Sequence, residues 1–101
     1  RYPEVSFILG AMGVSDYWGD IIPAVRICPN IFVETSVNAN VPAVLKNFLN
    51  EFGDEKVLFG SNYPYTSYAM EYRKIERAGL SSSSLEKIYY RNACRLLDIE
   101  P

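Results

Sequence analysis

Short apolar runs and longer amphipathic stretches alternate along this chain. Residues 5–9, 31–35 and 57–59 form three runs rich in aliphatic, β-branched and aromatic side chains, which is typical of buried strands. A loop of small or polar residues follows each run, and a stretch with helical spacing follows each loop. The pattern therefore predicts a strand followed by a helix, repeated three times.

The most regular helix is predicted from residue 41 to about Gly53. Its apolar residues are spaced so that all of them lie on one helical face: Val41, Val44, Leu45, Phe48, Leu49 and Phe52. Asn40 is the predicted N-cap of this helix, and Asp20 is the predicted N-cap of an earlier helix over residues 21–27.

Two more helices are predicted in the last third of the chain. Thr66 or Ser67 would cap a helix that runs to about Ala78 and is broken by Gly79. Residues 83–86, Ser-Ser-Leu-Glu, form a capping box that would begin a last helix reaching about residue 98. Asn92 lies within this helix, and its amide is expected to bond a nearby loop backbone, which is a structural role.

The order of elements predicts an α/β fold, a three-stranded parallel βαβαβα segment with right-handed connections. A parallel sheet is normally covered on both faces, and this chain supplies few helices to cover three strands. Both outer strands should then carry unpaired backbone groups. We expect a missing piece, a second copy of the chain or an engineered surface to satisfy them. A start at Arg1, without an initiator Met, suggests a piece of something longer.

Composition narrows the possible chemistry. The 101 residues include no histidine, which excludes a serine-histidine or cysteine-histidine nucleophile pair and any histidine ligand within the chain. The net charge is −2 with dispersed Lys and Arg, so neither nucleic acid nor a membrane is expected as a partner. Cys28 and Cys94 stand far apart without a secretory signal and are predicted to be reduced thiols of a cytoplasmic protein.

The carboxyl ends of the predicted strands carry the candidate site. In open α/β sheets and (β/α)8 barrels, active sites form at these ends. Residues 10–13, 35–38 and 61–64 follow the three strands, and they place Thr35, Ser36, Ser61 and Tyr63 where a substrate would bind. Gly, Ser and Asn also form ordinary turns, which is the simpler interpretation of any single loop. Three such loops at one edge favour a functional site.

Four segments resemble the amidohydrolase-related metal-dependent hydrolases. Residues 1–13, RYPEVSFILGAMG, resemble the sixth barrel strand of that family, and residues 54–64, DEKVLFGSNYP, resemble the eighth. Residues 31–36, IFVETS, resemble the seventh strand, and residues 88–97, IYYRNACRLL, resemble the closing helix. The segments occur in the family's order and spacing over nearly the whole chain. The resemblance implies the last strands, six to eight, of a TIM barrel.

The resemblance also implies a metal site that this chain has lost. Ala11 stands where the family has a histidine, and Asn62 stands where it has a metal-binding aspartate that acts as the catalytic base. Alanine has no donor atom, and asparagine lacks the charge that holds a divalent cation. For an intact enzyme the family implies zinc or a similar divalent metal. It also implies hydrolysis of C–N, C–O or C–C bonds, or decarboxylation of aromatic acids.

Other residues near the carboxyl ends have two interpretations each. Glu34 is a possible catalytic carboxylate, but a structural partner for a neighbouring Arg or Lys is the favoured role. Asp16 and Asp20 could line a pocket, although helix capping and a surface loop are favoured. Four tyrosines after the third strand could stack on an aromatic substrate or cover an open sheet end: Tyr63, Tyr65, Tyr68 and Tyr72.

Two functions are compatible with these residues. The chain is either the carboxyl-terminal part of a metal-dependent hydrolase, inactive alone and without a metal of its own, or a non-catalytic α/β module. In the first case its partners are the remaining barrel strands and a small-molecule substrate. In the second it self-associates with another copy of the chain, or complements a half-barrel, through open strand edges, and we expect oligomers.

Overall fold

The fold is α/β with one parallel sheet, as the alternation of apolar runs and amphipathic stretches predicts. The computed structural model describes residues 2–13, 18–36 and 41–101. The strands are β1 (Phe7–Leu9), β2 (Ile31–Glu34) and β3 (Val57–Leu58), and the helices are α1 (Ile21–Ile27), α2 (Val41–Phe52), α3 (Tyr68–Glu76), α4 (Ser82–Glu86) and α5 (Asn92–Leu97). A π-helical segment, Lys87–Arg91, joins α4 to α5, and short 3₁₀ turns cover Gly10–Gly13 and Trp18–Asp20.

The three strands lie in sequence order and run in parallel, which confirms the predicted topology. Phe7 pairs with Ile31, and Val33 pairs with Val57. Val33 and Val57 are fully buried because β2 is central and β3 packs into the core. The α2 face predicted from spacing supplies the other side of that core: Leu45 and Phe48 are buried, and Val44, Leu49 and Phe52 pack against them. Asn40 lies outside the described residues.

The prediction that the first strand is buried is wrong. Phe7 and Ile8 are 46% and 54% exposed, and β1 is shorter than residues 5–9. Apolar side chains indicate a strand but cannot show whether both of its faces are covered. Here β1 lies at the edge of the sheet, and the described residues leave Phe7 and Ile8 largely uncovered, whereas Leu9 packs against the core. Val5 and Tyr2 extend the same exposed apolar surface.

The helix caps differ in part from the predicted ones. Asp20 precedes α1, but its side chain makes no capping hydrogen bond, since its own backbone is already helical. Ser67 precedes α3, likewise without a side-chain cap. In the last helix the N-cap is Ser81 rather than Ser83: the Ser81 hydroxyl accepts a hydrogen bond from the Ser84 amide at 3.1 Å. Because residues 81–84 are all serine, the sequence does not show which of them is the N-cap.

The expectation that both outer strands are open is wrong for β3. The Phe59 amide donates to the Ile88 carbonyl at 2.9 Å, and the Asn92 side chain donates to the Val57 carbonyl at 2.8 Å. Asn92 also donates to the Asp54 carbonyl at 2.7 Å, so the predicted structural role of this amide is confirmed. No helix within the described ranges is long and apolar enough to cross a membrane.

Candidate functional site

The Glu34 carboxylate joins the loops that follow β1 and β2. Its Oε2 accepts hydrogen bonds from the Ala11 amide at 3.0 Å and from the Ser36 hydroxyl at 2.6 Å. Its Oε1 accepts from the Ser36 amide at 2.7 Å. The sequence favoured an Arg or Lys partner for this residue, but the donors found are two backbone amides and a hydroxyl. Charge-assisted bonds of this kind are among the stronger ones in proteins.

The end of β3 lies against the same carboxylate. A Cβ atom at Gly60 would overlap the Glu34 carboxyl group and come within 2.9 Å of its Cγ, so Glu34 can keep this position only beside a glycine. Thr35 is 1% exposed, and its hydroxyl accepts from the Gly60 amide at 3.3 Å. The carboxyl ends of all three strands therefore meet around Glu34 and Thr35.

Ala11 and Asn62 share an unusual backbone conformation. Both have φ of 54°, in the left-handed region that L-residues other than Asn and Asp rarely adopt. Ala11 follows β1 and is half-buried, whereas Asn62 follows β3 and is exposed. Left-handed residues cluster at sites where the surrounding structure imposes the conformation. For Ala11, the bond from its amide to Glu34 supplies part of that restraint.

The substrate-side candidates divide into two groups. Ser36 contacts Glu34, and Thr35 is buried and turned toward Gly60. Ser61 and Tyr63 instead belong to their own turn: the Tyr63 amide donates to the Ser61 hydroxyl at 3.3 Å, and the Thr66 hydroxyl donates to the Ser61 carbonyl. The turn is completed by the Tyr65 amide, which donates to the Asn62 carbonyl at 2.9 Å. Asp20 is exposed in front of α1, and Asp16 lies outside the described residues.

The tyrosines also separate. Tyr63 and Tyr65 extend into solvent, with Tyr65 87% exposed. Tyr68 and Tyr72 instead surround Phe59, with ring centroids 5.5 and 6.3 Å from the Phe59 ring. Tyr89 completes this cluster by stacking on Tyr72 at 4.6 Å, and burial, with Tyr72 beside it, raises the pKa of the Tyr89 phenol. Tyr68 and Tyr72 thus help to cover the end of β3, one of the two roles that the sequence suggested for four tyrosines, whereas Tyr63 and Tyr65 lie outside the cluster.

The described residues do not fit a divalent metal. Ala11 has no donor atom, and both carboxylate oxygens of Glu34 already accept hydrogen bonds. Within residues 2–13, 18–36 and 41–101, no group of three or more His, Cys, Asp or Glu side chains is arranged to hold a metal ion. What the site presents instead is one carboxylate held by backbone amides, at an edge built from small residues.

Sequence reasoning did not identify Glu34 as the residue on which the site is built. The signal was an acidic residue at the end of the central strand, with glycine after each outer strand, at positions 10 and 60. Neighbouring backbones can approach a carboxylate closely only where they carry no Cβ. Neither glycine can be paired with Glu34 until the register of the sheet is known.

Comparison with known proteins agrees with the fold. The model of a protein family described as Amidohydrolase matches residues 1–99. An amidohydrolase 2 from Bifidobacterium longum subsp. infantis is 24% identical, with a TM-score of 0.74, and the match covers 97% of this chain and 42% of that one. No curated protein matches the chain.

Two further solved structures contain metals. A dihydroxybenzoic acid decarboxylase from Polaromonas sp. JS666, with bound manganese and the inhibitor 2-nitroresorcinol, is 21% identical with a TM-score of 0.73, over 96% of this chain and 35% of that one. An amidohydrolase from Burkholderia multivorans with bound zinc is 18% identical with a TM-score of 0.76, over 99% and 46%. The chain thus spans less than half the length of each of these proteins.

Proposed function

Because this chain belongs to the Amidohydrolase family, we propose that it forms the carboxyl-terminal part of a metal-dependent hydrolase or decarboxylase of the (β/α)8-barrel type. In this proposal β1, β2 and β3 correspond to the sixth, seventh and eighth barrel strands. Support comes from the parallel order of the strands and from solved structures of which the chain covers 35% to 46%.

The chain alone is proposed to be inactive. At two positions where the resemblance implies metal ligands, it carries residues that cannot hold a divalent cation. Ala11 and Asn62 follow β1 and β3 at the same end of the sheet, and both have a left-handed backbone. This shared geometry is the observation that carries the proposal, because such a conformation is typical of positions that the structure of a site imposes, and neither side chain here carries a charge. Members of the family bind manganese or zinc, so a divalent metal belongs to the family rather than to these residues.

The proposed partner of the sheet is the preceding part of a barrel. Phe7 donates its amide to the Asn30 carbonyl, so the alternation of a parallel strand directs the backbone groups of Ile8 away from β2. An added strand beside Ile8 would pair with these groups, and the rest of a barrel would cover the side chains on the two faces of β1. The substrate would be a small molecule bound at the carboxyl ends. The proposal covers both hydrolysis and decarboxylation, since solved structures named as an amidohydrolase and as a decarboxylase share the fold.

A second candidate is a non-catalytic module that associates with another copy of itself. The exposed apolar side chains around β1 favour it, with Ile8 54% and Ile27 79% exposed. Sedimentation with and without an added complementary barrel portion separates the two candidates. The module should form stable oligomers and should not bind the added portion.

A chimera tests the barrel proposal. This chain would replace the matching 46% of the zinc-bound Burkholderia multivorans amidohydrolase, once as it is and once with Ala11→His and Asn62→Asp. Both chimeras should fold as that protein does by circular dichroism and sedimentation, and only the restored one should retain stoichiometric zinc by elemental analysis. The matched control carries Ala43→His and Asn50→Asp, the same changes at exposed positions of α2.

Each arm of this experiment can contradict the proposal. Equal zinc in the unrestored and restored chimeras would show that positions 11 and 62 are not the disabled ones. Failure of both chimeras to fold, while the 101-residue chain folds alone, would contradict the barrel placement. One equivalent of zinc on the unaltered chain after dialysis would contradict its proposed lack of a metal site.

A further inference from the structure

The outer edge of β3 is filled by the chain's own last helix. The carbonyls of Lys56 and Leu58 accept hydrogen bonds from the amides of Val33 and Thr35, at 2.9 and 3.0 Å. Backbone groups of alternate residues in a parallel strand point to opposite sides. Val57 and Phe59 therefore direct theirs away from β2, toward the side where another strand of a sheet would pair.

Two groups of the last helix bind at that side. The Ile88 carbonyl accepts from the Phe59 amide at 2.9 Å, and the Asn92 amide group donates to the Val57 carbonyl at 2.8 Å. Ile88 and Asn92 are each 1% exposed. One donor and one acceptor of the strand edge are thus satisfied by a helix, and we call Ile88 and Asn92 together the edge cap.

The π-helical segment makes the edge cap possible. In a regular α-helix the Ile88 carbonyl would accept from the backbone amide of Asn92, four residues later. Here that amide donates to the Lys87 carbonyl instead, five residues earlier. The Ile88 carbonyl is thereby released to accept from Phe59. The irregular turn of the helix thus lies against β3, where it frees a carbonyl for the strand.

Further bonds hold the helix in place beside the strand. The Asp54 carboxylate accepts from Ser84 at 2.6 Å and from Lys87 at 3.1 Å, and the Glu55 carbonyl accepts from Arg95 at 2.6 Å. On the other side, Tyr89 packs edge-on against Phe59 with ring centroids 5.6 Å apart. The helix is anchored along residues 84–95, so the edge cap is part of a continuous interface.

We propose that the edge cap is a conformational gate: it closes β3 against strand pairing, and it must be displaced before any strand can be added there. Addition of a strand beside β1 requires no such movement. Among the residues that the structure describes, nothing caps β1 as the last helix caps β3, so association of this chain is directed to β1. The proposal concerns the chain by itself. A closed barrel pairs its eighth strand with its first, so the barrel proposal requires the edge cap to be displaced from β3.

Amide hydrogen exchange followed by NMR tests the gate in the 101-residue chain. The Phe59 amide should be protected in the unaltered chain to a degree similar to the Thr35 amide, which bonds within the sheet. Deletion of Tyr90 removes one residue from the π-helical turn and restores regular bonding, in which the Ile88 carbonyl is used within the helix. Protection of Phe59 should then fall about tenfold or more, while Thr35 remains protected.

Asn92→Ala removes the second half of the edge cap, and Arg95→Ala is its matched control. Arg95 anchors the next turn of the same helix to Glu55 without bonding Val57 or Phe59. The deletion and Asn92→Ala should both sediment as larger oligomers than the unaltered chain at the same concentration, because a second strand edge is then open to pairing. Arg95→Ala should sediment like the unaltered chain.

Two results would overturn the gate. The first is rapid exchange of Phe59 in the unaltered chain while Thr35 is protected, a measurement that needs no variant to fold. The second is a deletion variant that keeps both Thr35 and Phe59 protected, since the carbonyl of Ile88 would then not be what closes the edge.

Discussion

Glu34 occupies the space that a side chain at position 60 would need. A Cβ atom built on Gly60 overlaps the Glu34 carboxyl group and lies 2.9 Å from its Cγ, whereas a Cβ at Gly10 meets the Glu34 Oε2 only at 3.9 Å, an ordinary contact. The two glycines flank the same carboxylate but are not equivalent. Glu34 in its present position leaves no room for a side chain at position 60 but does leave room for one at position 10.

This difference predicts a strong coupling between positions 34 and 60. Gly60→Ala should destabilise the chain by about 2 kcal/mol or more, because the carboxylate must leave its three donors. In a Glu34→Ala background the same change should lose most of its effect, giving a coupling energy of roughly 1–2 kcal/mol. Urea unfolding of the four proteins measures it.

Gly10→Ala is the matched control for that cycle. It adds the same methyl group on the other side of the carboxylate, and its effect should be about equal with and without Glu34. Additive effects of Gly60→Ala and Glu34→Ala would contradict the close packing of the carboxylate against the end of β3.

The left-handed backbone at Ala11 and Asn62 predicts opposite responses to glycine. Alanine is disfavoured in this region by roughly 1–2 kcal/mol, which exceeds the entropic cost of glycine, so Ala11→Gly should stabilise the chain by about 0.5–1 kcal/mol. Asparagine tolerates the region, so Asn62→Gly should change stability little. The shift in thermal midpoint measures both. Destabilisation by Ala11→Gly would show that the methyl group contributes more packing than the backbone loses.

Periodicity predicted the elements but not their surroundings. Residues 21–27 and 41–52 could be assigned as helices, and the strands as parallel, because spacing and connection lengths act locally. The exposure of Phe7 and Ile8 could not be predicted, since it depends on what other elements cover. The partners of Glu34 could not be predicted either. One is the backbone amide of Ala11, 23 residues away, and because nearly every residue has a backbone amide, the sequence does not indicate which of them binds.

The edge of β3 shows the same limit from the other direction. The small number of strands predicted that both outer edges of the sheet would be unpaired, yet Asn92 and Ile88 bond the backbone at the outer edge of β3. The role of the Asn92 amide was predictable, because a buried amide within a helix needs a partner. The release of the Ile88 carbonyl was not, since the π-helical turn depends on the position of Phe59 in the folded chain.

The helix cap of α4 predicts a difference between two neighbouring serines. Ser81→Ala removes the hydroxyl that accepts from the Ser84 amide and should destabilise the chain by about 1 kcal/mol. Ser83→Ala changes an exposed residue inside the first turn and should have an effect of less than about 0.5 kcal/mol. Urea unfolding compares the two. A larger loss from Ser83→Ala would restore the capping box predicted from the sequence.

Asp54 predicts how the stability of the chain depends on pH. The hydrogen bond from Ser84, joined by Lys87 and opposed by partial burial, lowers the pKa of the Asp54 carboxyl below its ordinary value. A carboxyl whose folded pKa lies below its unfolded value, about 3.9, stabilises the fold fully above that pH and loses this contribution as the pH falls toward the folded pKa. Asp54→Asn should therefore destabilise the chain at neutral pH, and the difference from the unaltered chain should shrink in acid. Urea unfolding from about pH 7 down to about pH 2 measures this, with Asp20→Asn at an exposed position as the control. A difference that is constant across this range would show that the carboxylate charge at Asp54 does not stabilise the junction between β3 and α4.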